Sequence, residues 1–254
     1  MKLFSRVVGE GTPLVILHGV FGSGDNLYTA SKQLAEQGFK VYLVDARNHG
    51  LSPHAEEHNY DVMAADLDEL LNSEGLVNPI ILGHSMGGKT VMQYAQNFDN
   101  YQKLIIVDIA PKFYPTHHQH ILEGLNAIPV HSISSRKEAE EIFAQYVTDA
   151  GERQFILKNI YRTDEGGFHW RINVPVLSKE IYQVGAEIAG DKKITKPVLF
   201  IRGNESSYIS DADFEEIKQT YTDVQLVTIE GANHWVHAIK PVEFVDAVVK
   251  FAKA

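Results

Sequence analysis

Short apolar runs alternate with amphipathic segments along most of the chain. The runs are rich in valine, isoleucine and leucine and are bounded by turn residues, a pattern typical of buried strands. They predict strands near residues 2–8, 13–18, 39–45, 79–84, 103–108, 196–202 and 223–229. Helical periodicity predicts helices near residues 25–37, 60–73, 86–98, 211–221 and 241–253. The alternation predicts an α/β fold with a mostly parallel central sheet and helices on both faces.

The alternation stops between Pro111 and Lys196. Helical patterns occur in that stretch, for example at residues 135–146, and no run is typical of a core strand. We therefore predict a core domain of residues 1–111 and 196–254, with a helical cap (lid) of residues 112–195 inserted in it. Such a cap would lie over the carboxyl ends of the strands, where open α/β sheets bind ligands.

Composition narrows the class of protein. The chain has 254 residues, of which 44% are hydrophobic, and this suits one α/β domain with an insertion. A net charge of −10 with histidine neutral argues against a nucleic-acid partner. No apolar run approaches the roughly 20 residues that span a bilayer, so we expect no stable membrane insertion. The absence of cysteine excludes disulfides and a thiol nucleophile, and we expect a cytoplasmic protein.

Residues 83–90 read Gly-His-Ser-Met-Gly-Gly-Lys-Thr and match two incompatible motifs. The first five residues form Gly-x-Ser-x-Gly, the strand-to-helix turn that presents a nucleophilic serine. The full stretch forms Gly-x-x-x-x-Gly-Lys-Thr, a phosphate-binding loop. Both motifs need a preceding strand and a following helix, and the flanking sequence provides both. The local sequence therefore leaves a hydrolase and a nucleotide-binding protein open.

Distant features favour the hydrolase. The predicted strand at 13–18 runs into a His-Gly turn, which in serine hydrolases directs a backbone N–H at the developing oxyanion. Val20 is the first candidate for that donor and Phe21 the next, while Met86, directly after the serine, offers the second N–H. His234 follows the predicted strand at 223–229 and could act as general base. The order Ser85, acid, His234 is that of the α/β-hydrolase fold.

No cofactor is needed for this chemistry. The twelve histidines include residues 117, 118 and 120, but neighbouring histidines on a helix point in different directions and no matching carboxylate set follows. We interpret them as surface residues and expect neither a metal nor an organic cofactor. Lys89 and Thr90 are then interpreted as ordinary helix residues.

Several segments together resemble α/β hydrolases of the YbfF-type esterase group, which is related to the abhydrolase-domain-11 proteins. The likeness spans nearly the whole chain. It rests on residues 18–26, 45–54, 83–88, 107–111, 168–173 and 231–237. The Arg-Asn-His-Gly turn at 47–50 and the Asp-Ile-Ala-Pro segment at 108–111 are the parts specific to the group.

The resemblance also bears on the acid of the triad. Most members of the superfamily carry it on the loop after the strand predicted at 196–202, but the corresponding position here holds Ser206. The resemblance implies that Asp108 is the acid and that Ser206 assists the histidine. Glu205 is the rival acid, one residue from the expected position.

The resemblance implies hydrolysis of short- to medium-chain acyl esters, or acyl-CoA thioesters, through an acyl-enzyme. A carbon–carbon hydrolase or lyase of the menaquinone-pathway type is the alternative within the fold. The partner would be a small-molecule ester or thioester, and the protein a monomer or homodimer. Basic residues of the cap could meet a phosphorylated carrier: Lys112, Arg153, Lys158, Arg162 and Arg171. The candidate substrate-binding residues are Phe113, Tyr114, Phe168, Trp170, Tyr208 and Trp235.

Overall fold

A computed structural model describes residues 1–164, 166–188 and 190–254 of the chain. Within these residues, a seven-stranded sheet forms the centre, and a two-stranded hairpin lies in the predicted cap. The strands in chain order are β1 (Ser5–Val8), β2 (Thr12–Leu17), β3 (Phe39–Val44), β4 (Ile80–His84), β5 (Lys103–Val107), β6 (Ile160–Arg162), β7 (Phe168–Trp170), β8 (Val198–Gly203) and β9 (Val224–Ile229).

The order of strands in the large sheet places one set of loops at a single edge. The order is β1-β3-β2-β4-β5-β8-β9, with β1 antiparallel to β3 and the other neighbouring pairs parallel. The carboxyl ends of parallel strands lie at the same edge of a sheet. The segments that follow β2, β4, β5, β8 and β9 therefore meet there, and they contain the predicted catalytic residues.

Helices cover both faces of the sheet. α1 and α10 pack on one face, and α2, α3 and α8 pack on the other. The helices in chain order are α1 (Tyr28–Glu36), α2 (Tyr60–Ser73), α3 (Met86–Asn97), α4 (Gln119–Ala127), α5 (Arg136–Phe143), α6 (Ala150–Leu157), α7 (Val174–Val184), α8 (Asp211–Thr220), α9 (Val236–Ile239) and α10 (Pro241–Lys253).

The alternation of side chains along β2 shows why one strand serves two apolar clusters. Leu14 and Ile16 belong to the cluster with α1 and α10, and Val15 and Leu17 belong to the cluster with α2 and α3. All four side chains are at most 3% exposed. Successive residues of a strand face opposite sides, so a continuous apolar run is required where both sides are covered.

The predicted α/β-hydrolase fold is confirmed, with differences in detail. The helix predicted at 25–37 begins as a 3-10 helix at Gly24–Leu27, and the helical pattern at 135–146 gives a helix that ends at Phe143. The β6–β7 hairpin and α9 were not predicted. Segments of three or four residues are too short for their periodicity to be recognised.

The segment between β5 and β8 packs on the core beside the carboxyl edge of the sheet. Its helices α4 to α7 share one apolar cluster with Val20, Phe21 and Met86 of the core. This packing supports our proposal to treat residues 112–195 as a cap on a core of residues 1–111 and 196–254. Among the described residues, no helix combines the length and the apolar character that a membrane crossing requires.

Candidate active site

Ser85 occupies the tight turn between β4 and α3. Its backbone has φ 53° and ψ −118°, a strained conformation, and its N–H donates to the carbonyl of Val107 at 3.0 Å. A Cβ atom on Gly83 would lie 2.2 Å from the carbonyl oxygen of Gly87, and one on Gly87 would lie 2.5 Å from that of Leu17. Both glycines of the motif are therefore needed for close packing, and the turn projects the serine from the edge of the sheet.

Asp108 and His234 form a hydrogen-bonded pair at the same edge. Asp108 follows β5 and is 0% exposed, and its Oδ2 lies 2.8 Å from Nδ1 of His234 in the loop after β9. The N–H of Gly203 donates to Oδ1 at 3.1 Å, and the hydroxyl of Ser206 donates to Oδ2. A carboxylate only accepts, so Nδ1 of the ring carries the hydrogen and Nε2 of the neutral ring carries the lone pair.

Ser85 and His234 line the same cavity, but they are not hydrogen-bonded to each other. Among the described residues, neither Oγ of Ser85 nor Nε2 of His234 has a hydrogen-bond partner. The hydrogen bond between hydroxyl and imidazole through which a general base acts is therefore not formed in this structure. In ligand-free enzymes such bonds are often long and tighten when substrate binds.

The contacts distinguish the two rival acids. The carboxylate that reaches His234 is that of Asp108. Glu205 is exposed, and its backbone N–H donates to the carbonyl of Ala232 at 2.9 Å; within the described part of the chain its carboxylate has no hydrogen-bond partner. Ser206 contacts Asp108 and not the ring, so it fixes the carboxylate rather than orienting the histidine directly.

Two of the three predicted oxyanion donors have free N–H groups. Val20 lines the cavity at Ser85, and Met86 is the first residue of α3, where helix N–H groups lack intrahelical partners. Within the described residues, neither N–H is engaged in a hydrogen bond. The N–H of Phe21, in contrast, donates to Nε2 of His49 at 3.2 Å. The N–H of Phe21 is thus engaged by His49, which favours Val20 over Phe21 as the donor beside Met86.

Two buried histidines brace the turn that carries Val20. Burial lowers the pKa of His49 well below its usual range, and its Nδ1 donates to the carbonyl of Arg47 at 2.9 Å, which leaves Nε2 as the acceptor. Burial also lowers the pKa of His18, whose Nε2 accepts the N–H of Ala46 at 3.0 Å. Arg47 is held by two hydrogen bonds to Asp66, at 2.6 and 2.9 Å. The Arg-Asn-His-Gly turn thus supports the turn that carries Val20, a contact that its sequence alone did not indicate.

We call the space beside Ser85 and His234 the inner cavity. Its volume is about 210 Å³, and most of its wall comes from the strand-end loops and from α4 and α6 of the cap. Its lining residues are Gly19, Val20, Phe21, His84, Ser85, His117, His118, His120, Ile121, Glu152, Phe155, Ile156, Tyr208, His234 and Trp235. Sequence reasoning missed the contributions of α4 and α6, because no motif marks them.

A smaller space, which we call the recess, lies on another side of Ser85. Its volume is about 20 Å³, room for about one water-sized group. The recess is lined by Ser85 and Met86 together with the two ends of the cap, residues 112–116 and 184–186, which we call its stems; they contribute Tyr114 and Val184. His234 does not line it.

The predicted substrate-binding residues divide into two groups. Tyr208 and Trp235 line the inner cavity, and Tyr114 lines the recess. Phe113, in contrast, lines neither space and is 59% exposed. Two further aromatic residues also line neither, because they lie on β7 and pack into the apolar cluster of the cap: Phe168 and Trp170.

The histidines interpreted as surface residues are partly in the site. His117, His118 and His120 line the inner cavity, and burial lowers the pKa of His118 to about 3, so its ring is neutral. No group of three potential metal ligands was found among the described histidine, aspartate and glutamate side chains.

His234 is held by neighbours on two sides. The ring of Tyr208 stacks on it with centroids 4.1 Å apart and an interplanar angle of 21°. His84 donates from Nε2 to the backbone carbonyl of His234 at 2.9 Å, and burial keeps the pKa of His84 well below its usual range. The hydroxyl of Tyr208 lies 2.9 Å from Nε2 of His117, which links this support to the cap.

Lys89 is not the ordinary helix residue that we predicted. Its side chain is 0% exposed, and burial lowers its pKa to about 7. Its ammonium group donates to three backbone carbonyls in the two stems of the cap: those of Lys112, Gly185 and Ala186. The hydroxyl of Thr90 donates to the carbonyl of Met86 at 3.0 Å. Both groups that would bind phosphate and magnesium in a nucleotide-binding loop are thus engaged with the chain itself.

This buried lysine makes stability depend on pH. The pKa of Lys89 is about 7 in the folded chain and returns to the ordinary lysine value of 10.5 on unfolding, so the unfolded chain binds more protons between these values. Stability should therefore rise with pH from about 7 towards 10, by up to about 1.4 kcal/mol per pH unit from this one group. Urea unfolding of the wild type and Lys89→Met between pH 7 and 9 measures the difference in slope.

The exposed Lys2 provides the matched control, since Lys2→Met removes a solvated ammonium group. We expect Lys2→Met to keep the wild-type slope and Lys89→Met to lose part of it. Equal slopes in all three proteins would contradict the assignment of a depressed pKa to Lys89.

Comparison with known proteins reveals close similarity along the full chain. A family model for the alpha/beta hydrolase fold matches residues 12–127. The chain is 36% identical over 246 residues to esterase YbfF of Escherichia coli (strain K12), covering 95% of this chain and 91% of that protein. It is 37% identical over 260 residues to the sn-1-specific diacylglycerol lipase ABHD11 of Mus musculus, covering 98% and 84%. A marine microorganism esterase of known structure superposes with a TM-score of 0.95 at 42% identity, covering 98% of this chain and 99% of that one.

Proposed function

The chain belongs to the α/β-hydrolase family, in the group of YbfF-type esterases and ABHD11 proteins, and is an ester hydrolase; from that premise we propose that Ser85, His234 and Asp108 are its catalytic triad. One observation carries the proposal. The serine on the strained turn shares a cavity with a histidine whose Nδ1 is bonded to a buried carboxylate. This arrangement leaves Nε2 free to accept the proton of the serine hydroxyl.

In the first half-reaction, Oγ of Ser85 attacks the ester carbonyl while Nε2 of His234 takes its proton. Negative charge develops on the carbonyl oxygen, and we assign its stabilisation to the N–H groups of Val20 and Met86, which are not hydrogen-bonded within the described residues. Each such donor is worth about 3 kcal/mol in enzymes where it has been removed. The buried carboxylate of Asp108 stabilises the imidazolium that forms.

The first half-reaction ends when the tetrahedral intermediate collapses: the ester bond breaks, His234 gives its proton to the leaving alcohol, and the acyl group remains on Ser85. The second half-reaction removes this acyl group. Water then enters, His234 removes a proton from it, and the resulting hydroxide attacks the acyl group on Ser85. Collapse of this second tetrahedral intermediate returns the proton to Oγ and releases the acid. Every step uses only side chains of this chain, backbone N–H groups and water.

The sizes of the two spaces beside Ser85 favour a substrate with a short acyl group. His234 must protonate the leaving oxygen, so the alcohol part lies on its side, in the inner cavity of about 210 Å³. The acyl part then faces the recess of about 20 Å³, which His234 does not line. We propose short-chain acyl esters as the preferred substrates, within the wider range of short- to medium-chain esters and thioesters expected from the resemblance.

Covalent labelling tests the proposal directly. A fluorophosphonate should modify the wild-type protein at Ser85, as located by mass spectrometry of the digested chain, and should block hydrolysis of p-nitrophenyl acetate in the same proportion. A nucleophile must be activated for this reaction, so labelling reports on the triad and not on fold alone. A protein that hydrolyses esters while Ser85 remains unlabelled would rule out the proposed mechanism.

A further inference from the structure

Glu152 is the one residue with a carboxylate or ammonium side chain among those that line the inner cavity. It lies in the first turn of α6 and is half-buried, and its backbone N–H is capped by Asp149 at 2.7 Å. Within the described residues, its carboxylate has no hydrogen-bond donor and no ion-pair partner. A partly desolvated charge without a partner acts strongly on whatever binds beside it.

Glu152 lies at the boundary between the inner cavity and a second space, which we call the outer groove. The outer groove has a volume of about 470 Å³, and three residues border both spaces: Glu152, Phe155 and Trp235. The rings of Phe155 and Trp235 touch, with centroids 4.3 Å apart. The boundary thus combines a carboxylate with two aromatic rings, the chemistry that attracts cations.

A second carboxylate, that of the buried Asp108, adds to the negative potential of the inner cavity. Asp108 lies behind His234 and accepts a hydrogen bond from Nδ1 of its ring. Burial, followed by the carboxylates of Asp108 and Glu152, raises the pKa of Tyr208 to about 12. The effect of both carboxylates therefore reaches a side chain in the wall of the cavity.

None of the five basic residues of the cap named above lines the inner cavity. Lys112 is paired with Asp213 at 2.8 Å, and Arg153 donates to two backbone carbonyls of its own segment. Lys158 lines the outer groove and not the inner cavity, and Asp149 lines the same groove. The surroundings of the leaving alcohol are therefore acidic and aromatic.

Resting on the proposed function, we propose that Glu152 selects substrates by the charge of the alcohol part. The alcohol lies on the side of His234, next to Trp235 and Glu152, so a cationic alcohol gains a Coulomb attraction and contact with an aromatic face. An uncharged alcohol gains neither, and a polyanionic leaving group such as coenzyme A is repelled. The preferred class is short-chain esters of amino or quaternary ammonium alcohols.

A pair of esters with the same shape isolates the charge. Acetylcholine and 3,3-dimethylbutyl acetate differ in a quaternary nitrogen against a quaternary carbon, so the ratio of their kcat/KM values reports charge recognition alone. We expect the wild type to favour acetylcholine by about fivefold or more at low ionic strength, a ratio that falls as salt is added. Glu152→Gln should lower the ratio about fivefold, and Glu152→Lys should bring it below that of Glu152→Gln.

Glu123→Gln serves as the matched control, since Glu123 is an exposed glutamate on α4 that lines neither the inner cavity nor the outer groove. It should keep the wild-type ratio. A wild-type ratio near one, or a ratio in Glu152→Gln equal to that in Glu123→Gln, overturns the role of Glu152 while leaving the esterase mechanism intact. Failure of the proposed function gives a different result: no fluorophosphonate labelling of Ser85 and no hydrolysis of either ester or of p-nitrophenyl acetate.

Discussion

Replacing Ser85 with alanine should lower kcat for p-nitrophenyl acetate by about four orders of magnitude or more. The nucleophile is lost, and only the oxyanion donors and substrate binding remain to accelerate attack by water. Alanine has the same Cβ as serine, and the hydroxyl makes no hydrogen bond to the rest of the described chain. We therefore expect an unchanged fold, checked by circular dichroism and thermal unfolding beside the kinetic measurement.

Further variants serve as comparisons for the loss of activity in Ser85→Ala. Ser207→Ala removes an exposed hydroxyl from the loop after β8 and should leave kcat unchanged. His234→Ala should cost about as much as Ser85→Ala, and the double variant little more than either, because the two side chains act as one unit. Near-normal activity in Ser85→Ala, or additive losses in the double variant, would show that the serine and the histidine do not work together.

Much of the fold followed from periodicity. The core strands are short apolar runs covered on both faces, and the structure starts and ends each within about three residues of the predicted position. Along β2, successive side chains enter two different apolar clusters: Leu14 and Ile16 enter one, Val15 and Leu17 the other. A strand covered on both faces is therefore a continuous apolar run, which makes it recognisable in the sequence. The cap was predicted only as helical, because its hairpin is stabilised by pairing between segments too short to carry a pattern.

Sequence alone predicted the site residues that belong to a motif with a fixed backbone conformation. It did not predict those whose role depends on contacts with distant parts of the chain. Gly83 and Gly87 mark the turn at Ser85 because close backbone contacts exclude any side chain there. The role of Phe21 depended on His49, which lies 28 residues away in another loop. No local pattern indicates such a contact, and none placed Glu152 in the cavity wall.

Lys89 illustrates the same limit of sequence-based prediction, in a case where a motif is present but does not have its usual function. Its sequence context fits a phosphate-binding loop, in which the ammonium group would point at an anion. In the fold, the stems of the cap bring three carbonyls to that group, and the ammonium group satisfies them instead. The role of Lys89 is therefore decided by the stems of the cap, 23 to 97 residues further along the chain. Residues 83–90 alone could not predict that role.

Replacing Asp108 with asparagine should lower kcat by about three to four orders of magnitude. The carboxylate accepts hydrogen bonds from Gly203, Ser206 and His234, whereas an amide offers one oxygen and turns its NH₂ group towards a former donor. His234 then loses its acceptor at Nδ1 or shifts to the tautomer with hydrogen on Nε2, which cannot take the serine proton. The change is measured as kcat and kcat/KM for p-nitrophenyl acetate across pH 5 to 9.

The backbone conformation of Asp108 supports attributing this loss to the missing charge and to the changed tautomer of His234. Asp108 has φ 52°, a left-handed conformation that asparagine adopts about as readily as aspartate, so the substitution adds no strain. Glu205→Gln is the matched control, because it neutralises an exposed carboxylate on the neighbouring loop and should change kcat by less than about twofold. A larger loss in Glu205→Gln than in Asp108→Asn would transfer the role of the acid to Glu205. Because Asp108 and not Glu205 is hydrogen-bonded to His234 in this structure, that ranking would also indicate that the loop after β8 moves during turnover.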